Sequence, residues 1–319
     1  MALLTVLLLV AVMAVVAVAV LDDVRFSVRR ATNAETGAQA QWYADGAETL
    51  ARRRIGRLVA LSPNPDRTPV NPDWNGRILI LPISEGTLTA AVRDGQACFN
   101  LNSVVEWTGD RWAGRAVAAT QLVTLGQAVG VDERRMRTIA DSLIDWMDTD
   151  TTARPLGAED SAYAGLAEPY RTGGVLLAEV SELRAIRGVD GEAYGRLRPH
   201  LCALPINHSP INVNTLDEAD APLLVMLTGG SLGLPAARAV IAARPASGWP
   251  GAAAFWNQPA LAAVTPSQDA RDQTTVRTDY FTVRIDVEYG GSRAVRTALI
   301  EARPGREVRT VIRRWTVDE

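Results

Sequence analysis

Residues 145–160, DWMDTDTTARPLGAED, place five acids in sixteen positions: Asp145, Asp148, Asp150, Glu159 and Asp160. Arg154 is the only base among them. Carboxylates this close repel one another unless a cation sits between them, and calcium takes six to eight oxygen ligands of this kind. Counted as an EF-hand loop, Asp148 and Asp150 fall at positions one and three and Glu159 at position twelve. The count breaks at Thr152 and at Ala153, which stands where that loop needs glycine, and Pro155 stiffens the segment. The spacing predicts an irregular oxygen-rich site rather than an EF-hand. Asp145 lies one helical turn before Asp148 and reads as a supporting or solvated charge. The plain alternative is an acidic surface loop paired with Arg154 and Arg171.

Other residues offer chemistry that their surroundings weaken. Gly229 to Gly233, GGSLG, fits the G-x-S-x-G nucleophile elbow of a serine hydrolase. Such an enzyme needs a histidine after the serine, and His200 and His208 both precede Ser231. Residues 211–244 resemble the helix-hairpin-helix of membrane-anchored DNA-uptake proteins. That module needs basic side chains on phosphates, yet the charges nearest the turn are Asp217, Glu218, Asp220 and Arg238. With no lysine and a net charge of -3, the electrostatic drive toward DNA is weak. The bland reading is a packing module in which Asn214 or Thr215 caps a helix. Two histidines with only Cys202 near them make no zinc pattern. Cys98 and Cys202 form one disulfide in an oxidising compartment and are two buried thiols in a reducing one.

The elements that must position these residues follow from periodicity. The first 21 residues carry no charge, long enough to span a bilayer as a helix. The helical signal continues to about Ala60, giving a spine of about 90 Å at 1.5 Å per residue. Period-two segments follow, GRILILPI and GTLTAAVRDGQACFNLN, with RDGQ read as a hairpin turn. Helical patterns run from about Val104 to Arg244, and period two returns after Asp272. The expected fold class is α+β: a long N-terminal transmembrane and amphipathic helix on a small antiparallel sheet, with a large all-α domain inserted between strands. The expected boundaries are residues 1–21 for the span, 22–103 and 271–319 for helix and sheet, and 104–270 for the insertion. Arg25, Arg29 and Arg30 put the soluble side in the cytoplasm by the positive-inside rule, and a basic leader already removed reverses that orientation.

This plan, with CFNLNSVV, DWMDTD, RPLGAED, PYRTGG and INVNT in that order, resembles the K-type minor pseudopilins of type II secretion. Most pseudopilins keep a glutamate at mature position five, where it neutralises the N-terminal amine of the next subunit. Thr5 stands there in this sequence; the K type is known for lacking the glutamate, and an intramembrane carboxylate is kept only with a partner. The resemblance implies that Met1 is the processed, methylated start and that the soluble part is periplasmic, anchored to the inner membrane. It implies a non-enzymatic subunit at the tip of the pseudopilus. Its partners would be the I-type and J-type minor pseudopilins and the major pseudopilin, with no nucleic acid and no small-molecule substrate. A periplasmic location makes Cys98–Cys202 a disulfide. The resemblance also implies two neighbouring structural calcium ions, with Asp148, Asp150, Glu159 and Asp160 as ligands and Thr152 and backbone carbonyls assisting.

Overall fold

A computed structural model describes residues 2–70 and 74–315; Met1 lies outside the described residues. Helix α1 (Ala2–Ala60) runs through 59 residues that contain no proline. Residues 2–35 are exposed on every side, and the segment is long and apolar enough to cross a membrane. Further along, Ala40, Ala44, Ala47, Glu48 and Ile55 turn inward. Their spacing keeps them on one face, and the alanines let the backbone lie close on a sheet. Strands β1 (Ile78–Ile83) and β2 (Gly86–Asp94) form an antiparallel hairpin that turns at Ser84 and Glu85.

The chain then leaves the sheet, which corrects the expectation of a hairpin at RDGQ. Gly95 is the pivot. Its amide donates to the Tyr280 carbonyl at 2.8 Å, and a Cβ there would stand 2.9 Å from that same oxygen. The inserted segment therefore starts at residue 95 rather than 104. It begins with β3 (Phe99–Asn100), then a hairpin of β4 (Val105–Trp107) and β5 (Trp112–Gly114). Helices α2 (Ala116–Ala128), α3 (Glu133–Met147), α4 (Asp160–Tyr163) and α5 (Gly191–Leu197) follow. Then come β6 (Leu201–Cys202), β7 (Ile211–Asn212), α6 (Ala221–Leu227), α7 (Leu234–Ala242), α8 (Ala252–Trp256), α9 (Gln268–Gln273) and β8 (Thr274–Thr275). Three short ladders, two of them parallel, correct the all-α expectation. Residues 176–188, read as a helix, hold only a 3-10 turn over Val180–Ala185. One large core fills the insertion, with Phe99, Leu122, Ile139, Leu143, Leu224 and Phe255 at its centre.

Strands β9 (Tyr280–Tyr289), β10 (Ser292–Glu301) and β11 (Arg309–Arg314) complete the sheet in the order β1-β2-β9-β10-β11. Strands β2 and β9 pair directly, from Gly86 opposite Tyr289 to Asp94 opposite Phe281. The excursion of residues 95–279 thus begins and ends on neighbouring strands. Val283, Ile285, Val287 and Ile300 pack with Leu88 on Ala40, Ala44 and Ile55 of α1. In the same interface Arg296, only 2% exposed, is paired with Asp45 and Glu48 and lies under the Trp315 ring. Burial pushes the Glu48 carboxyl up, but bonds from Arg313 and Thr310 and the Arg296 charge outweigh it and hold it low.

Candidate metal site

Helix α3 carries the first acids to their place. Asp132 caps its start by accepting from the Arg135 amide at 3.0 Å, and Met136, Ile139, Leu143, Ile144 and Met147 anchor one face in the core. The helix ends at Met147 with Asp148 as its cap. A helix C-terminus is a poor place for carboxylates because its exposed carbonyls are negative already. The loop returns at Glu159, which precedes the short α4.

Asp148, Asp150 and Glu159 converge, each offering a carboxylate oxygen within 4.8 Å of the others. Two oxygens held by one calcium at about 2.4 Å stand at most about 4.8 Å apart, so the spacing suits a shared ion. Asp148 and Glu159 are buried, and Asp148 Oδ1 and Glu159 Oε1 have no hydrogen-bond partner. Burial pushes the Asp148 carboxyl up to about 7, helped by the charges of Asp150, Asp145 and Glu159. Glu159 is raised by burial and then by Asp145 and Asp150. Buried carboxylate oxygens left without donors, beside a third carboxylate, fit a hard divalent cation.

The remaining acids are placed differently. Asp145 is 1% exposed, which rules out the solvated reading. It accepts from the Arg154 amide at 3.1 Å and fixes the turn of the loop. Gly157 passes so near that a Cβ would fall 1.9 Å from Asp145 Oδ2. Arg154 does not neutralise the cluster by an ion pair: its Nε donates to Asp141 at 3.2 Å, and Asp141 also accepts from the Leu156 amide. Asp141 was not singled out in the sequence, and its place one turn before Asp145 was the available signal. Asp160 Oδ1 accepts from the Thr172 amide at 2.8 Å and from its hydroxyl at 2.9 Å, which lowers its pKa. Asp160 stands outside the converging group of acids, and the Thr152 amide donates to Asp150 Oδ1 at 2.9 Å. Tyr163 and Tyr170 stack, Trp146 meets both rings edge-on, and the Gly173 and Gly174 amides donate to the Trp146 carbonyl.

The other motifs are structural. Cys98 and Cys202 are bonded, with Cα atoms 5.7 Å apart, and tie the start of the insertion to β6. Asn100 donates to the Ile206 and His208 carbonyls at 2.7 and 2.9 Å, and Asn102 donates to those of Leu177 and Leu204 at 2.9 and 2.8 Å. Asn214 does not cap a helix but exchanges bonds with the Trp249 backbone, and Thr215 donates to Asp94 at 2.5 Å. GGSLG follows helix α6 rather than a strand, so it is no nucleophile elbow. Gly229 and Gly230 take positive φ there, and Ser231 donates to the Thr228 carbonyl at 2.7 Å. Burial lowers the pKa of His200 and His208, and neither joins the acidic group.

A long apolar helix laid on a small antiparallel sheet, with a large helical excursion between β2 and β9, defines a pseudopilin fold. Comparison with known proteins narrows the class. Residues 97–206 and 211–277 match the two family models described as type II secretion system (T2SS), protein K. The type II secretion system protein K of Klebsiella pneumoniae is 35% identical over 100% of this chain and 98% of its own. That of Aeromonas hydrophila is 35% identical over 92% and 90%. A chain of the crystal structure of the GspK-GspI-GspJ complex from enterotoxigenic Escherichia coli superposes with a TM-score of 0.80 at 30% identity, covering 90% of this chain and 99% of that one. The chain belongs to the type II secretion system protein K family, the K-type minor pseudopilins.

Proposed function

We propose that this chain forms the tip of the type II secretion pseudopilus and starts its assembly, without enzymatic activity. The observation that carries this reading is the match, over nearly the whole chain, to a K subunit solved together with its I and J partners. The I-type and J-type minor pseudopilins are the proposed neighbours, with the major pseudopilin below them. Helix α1 would anchor the chain in the inner membrane and leave the sheet and insertion in the periplasm. Thr5 and the insertion support the terminal position. Thr5 spends its hydroxyl on the Ala2 carbonyl at 2.8 Å and offers no carboxylate to a following subunit's amine. The insertion outgrows the sheet that carries it, and a shaft subunit needs neighbours on every side. Cysteine crosslinks from Val6 to Val20 are expected to reach other pseudopilins at one end only. Finding this chain repeated along the shaft would overturn the reading.

Calcium is the proposed occupant of the acidic site, with a structural role. Asp148, Asp150 and Glu159 would hold it through the oxygens that lack donors. The ion would supply the positive charge that lets α3 and α4 end beside one another. A second ion would draw on Asp160, whose Oδ2 makes no hydrogen bond among the described residues, with Thr152 and loop carbonyls. Elemental analysis after dialysis is expected to find calcium in the native chain and none in a variant carrying Asp148→Asn and Glu159→Gln. A calcium-free native chain would leave the loop without this role.

A further inference from the structure

The loop between α3 and α4 is tied down by groups that have no place among the converging acids. Asp141 and Asp145 lie one turn apart on α3 and so share a face. Asp145 takes the Arg154 amide at 3.1 Å and Asp141 the Leu156 amide at 3.2 Å, so two backbone groups of the loop end on the helix. The Arg154 side chain folds over the same face. Its Nε donates to Asp141 at 3.2 Å, and its guanidinium lies so near β5 that a Cβ on Gly114 would stand 2.7 Å from Nη1. The Gly157 amide closes a turn on the Arg154 carbonyl at 3.0 Å, and Arg187 donates to the Gly157 carbonyl at 3.4 Å. None of these ties uses Asp148, Asp150 or Glu159.

Their position matters because the ligands stand at the two ends of the loop. Asp148 and Asp150 lead into it and Glu159 leaves it. A cation that had to join these ends unaided would set the closure entropy of the loop against its own binding. A loop already closed on α3 loses less freedom when the cation arrives. We propose that Asp141 and Arg154 are positioning residues for the calcium site: with Asp145 they clamp residues 154–156 to α3 and hold Glu159 opposite Asp148 whether or not a cation is bound. The proposal rests on the calcium reading given above. Arg154 is the informative member. Its charge opposes a cation beside it, so electrostatics alone makes it a liability at this site, and the clamp is what it contributes.

The test uses the full-length chain in detergent, with calcium alone as the titrant. Titration calorimetry should show Asp141→Ala binding calcium at least about tenfold more weakly, the loss expected of a group that orients a metal ligand. Arg154→Met keeps the length of the side chain and removes its charge. Charge alone would make this variant bind calcium more tightly, whereas the clamp makes it bind several-fold more weakly. In chelator, the Leu156 amide should exchange its hydrogen slowly in the native chain and at the rate of an open loop in Asp141→Ala. The Arg154 side chain is 33% exposed and can be replaced without opening the core, so Arg154→Met decides the matter if Asp141→Ala fails to fold. Calcium affinity in Arg154→Met equal to or above that of a native chain that does bind calcium would overturn this proposal alone. Fast exchange of the Leu156 amide in the native chain would do the same. A native chain that takes up no calcium would overturn it together with the calcium reading.

Discussion

Two buried carboxylates, Asp94 and Asp148, are both raised by burial, to about 6 and about 7, yet they are treated in opposite ways. Asp94 closes the joint where the insertion leaves the sheet. Its Oδ2 accepts from Thr215 at 2.5 Å and Thr278 at 2.7 Å, and its Oδ1 accepts from the Gln96 amide at 2.7 Å. Thr278 lies where the excursion returns, so one carboxylate binds both ends of it. Asp148 is surrounded by other acids, and its buried Oδ1 accepts nothing. Burial alone is therefore no sign of a ligand site. The sign is a buried oxygen for which the fold supplies no donor.

The largest expected effect comes from Asp94→Ala. It strands the Thr278 hydroxyl and the Gln96 amide, at about 1.5 kcal/mol each, while the Thr215 hydroxyl keeps the Asn212 carbonyl, so a loss of about 3 kcal/mol is expected in urea unfolding. The response to calcium should be unaltered; a response that vanished would mean the two carboxylates act together. Withdrawing calcium comes next. Free ion at a hundredfold excess over its dissociation constant stabilises by about 2.7 kcal/mol, and scanning calorimetry with and without a chelator should show a loss of that order. An identical transition in both conditions would remove the contrast with Asp94. Asp148→Asn sharpens it, because its sign depends on the condition. In calcium it should destabilise, while in chelator it should stabilise by about 1 kcal/mol through relief of a buried, unpaired charge.

The pH dependence at saturating calcium isolates Asp94 from the calcium site. The Asp94 carboxyl is raised from 3.8 to about 6 on folding, so the folded chain holds that proton more tightly. Its contribution favours folding fully below 3.8 and is lost as pH rises through about 6. Asp220, also raised to about 6, acts in the same direction. Asp94→Asn should flatten the downward slope across that window without abolishing it. A slope unchanged by Asp94→Asn would assign all of it elsewhere.

Much of this was legible from the sequence for physical reasons. Helix α1 and strands β9 and β10 are long enough for their periods to repeat; Phe281, Val283, Ile285 and Val287 alternate without a break. The two-residue ladders have no period to read, and Asn100, Asn102 and the disulfide fix that of β3 with β6 through contacts distant in sequence. The RDGQ turn misled because Asp-Gly usually marks a hairpin, whereas here Gly95 serves a departure that hugs Tyr280. The acidic loop declared itself by density. The spacing picked out Asp148, Asp150 and Glu159, which do converge, but not the places of Asp145 and Asp160, which are claimed by the amides of residues 154 and 172, and only the loop's path brings those amides near. Asp94 gave no signal, being a single acid at a strand end.

The direct pairing of β2 with β9 has a mechanical consequence. A push along α1 reaches the sheet through the apolar contacts and through Glu48, which grips Arg296 and Arg313 on two strands. The push then spreads across strands that run unbroken past the excursion. None of that path runs through the helices of residues 95–279, which ride on the sheet as cargo rides on a platform. They are joined to the sheet by the Asp94 joint, by Leu204 packed on Tyr280 and Leu299, and by the Arg314–Glu179 ion pair, and the Cys98–Cys202 bond braces the start of the excursion.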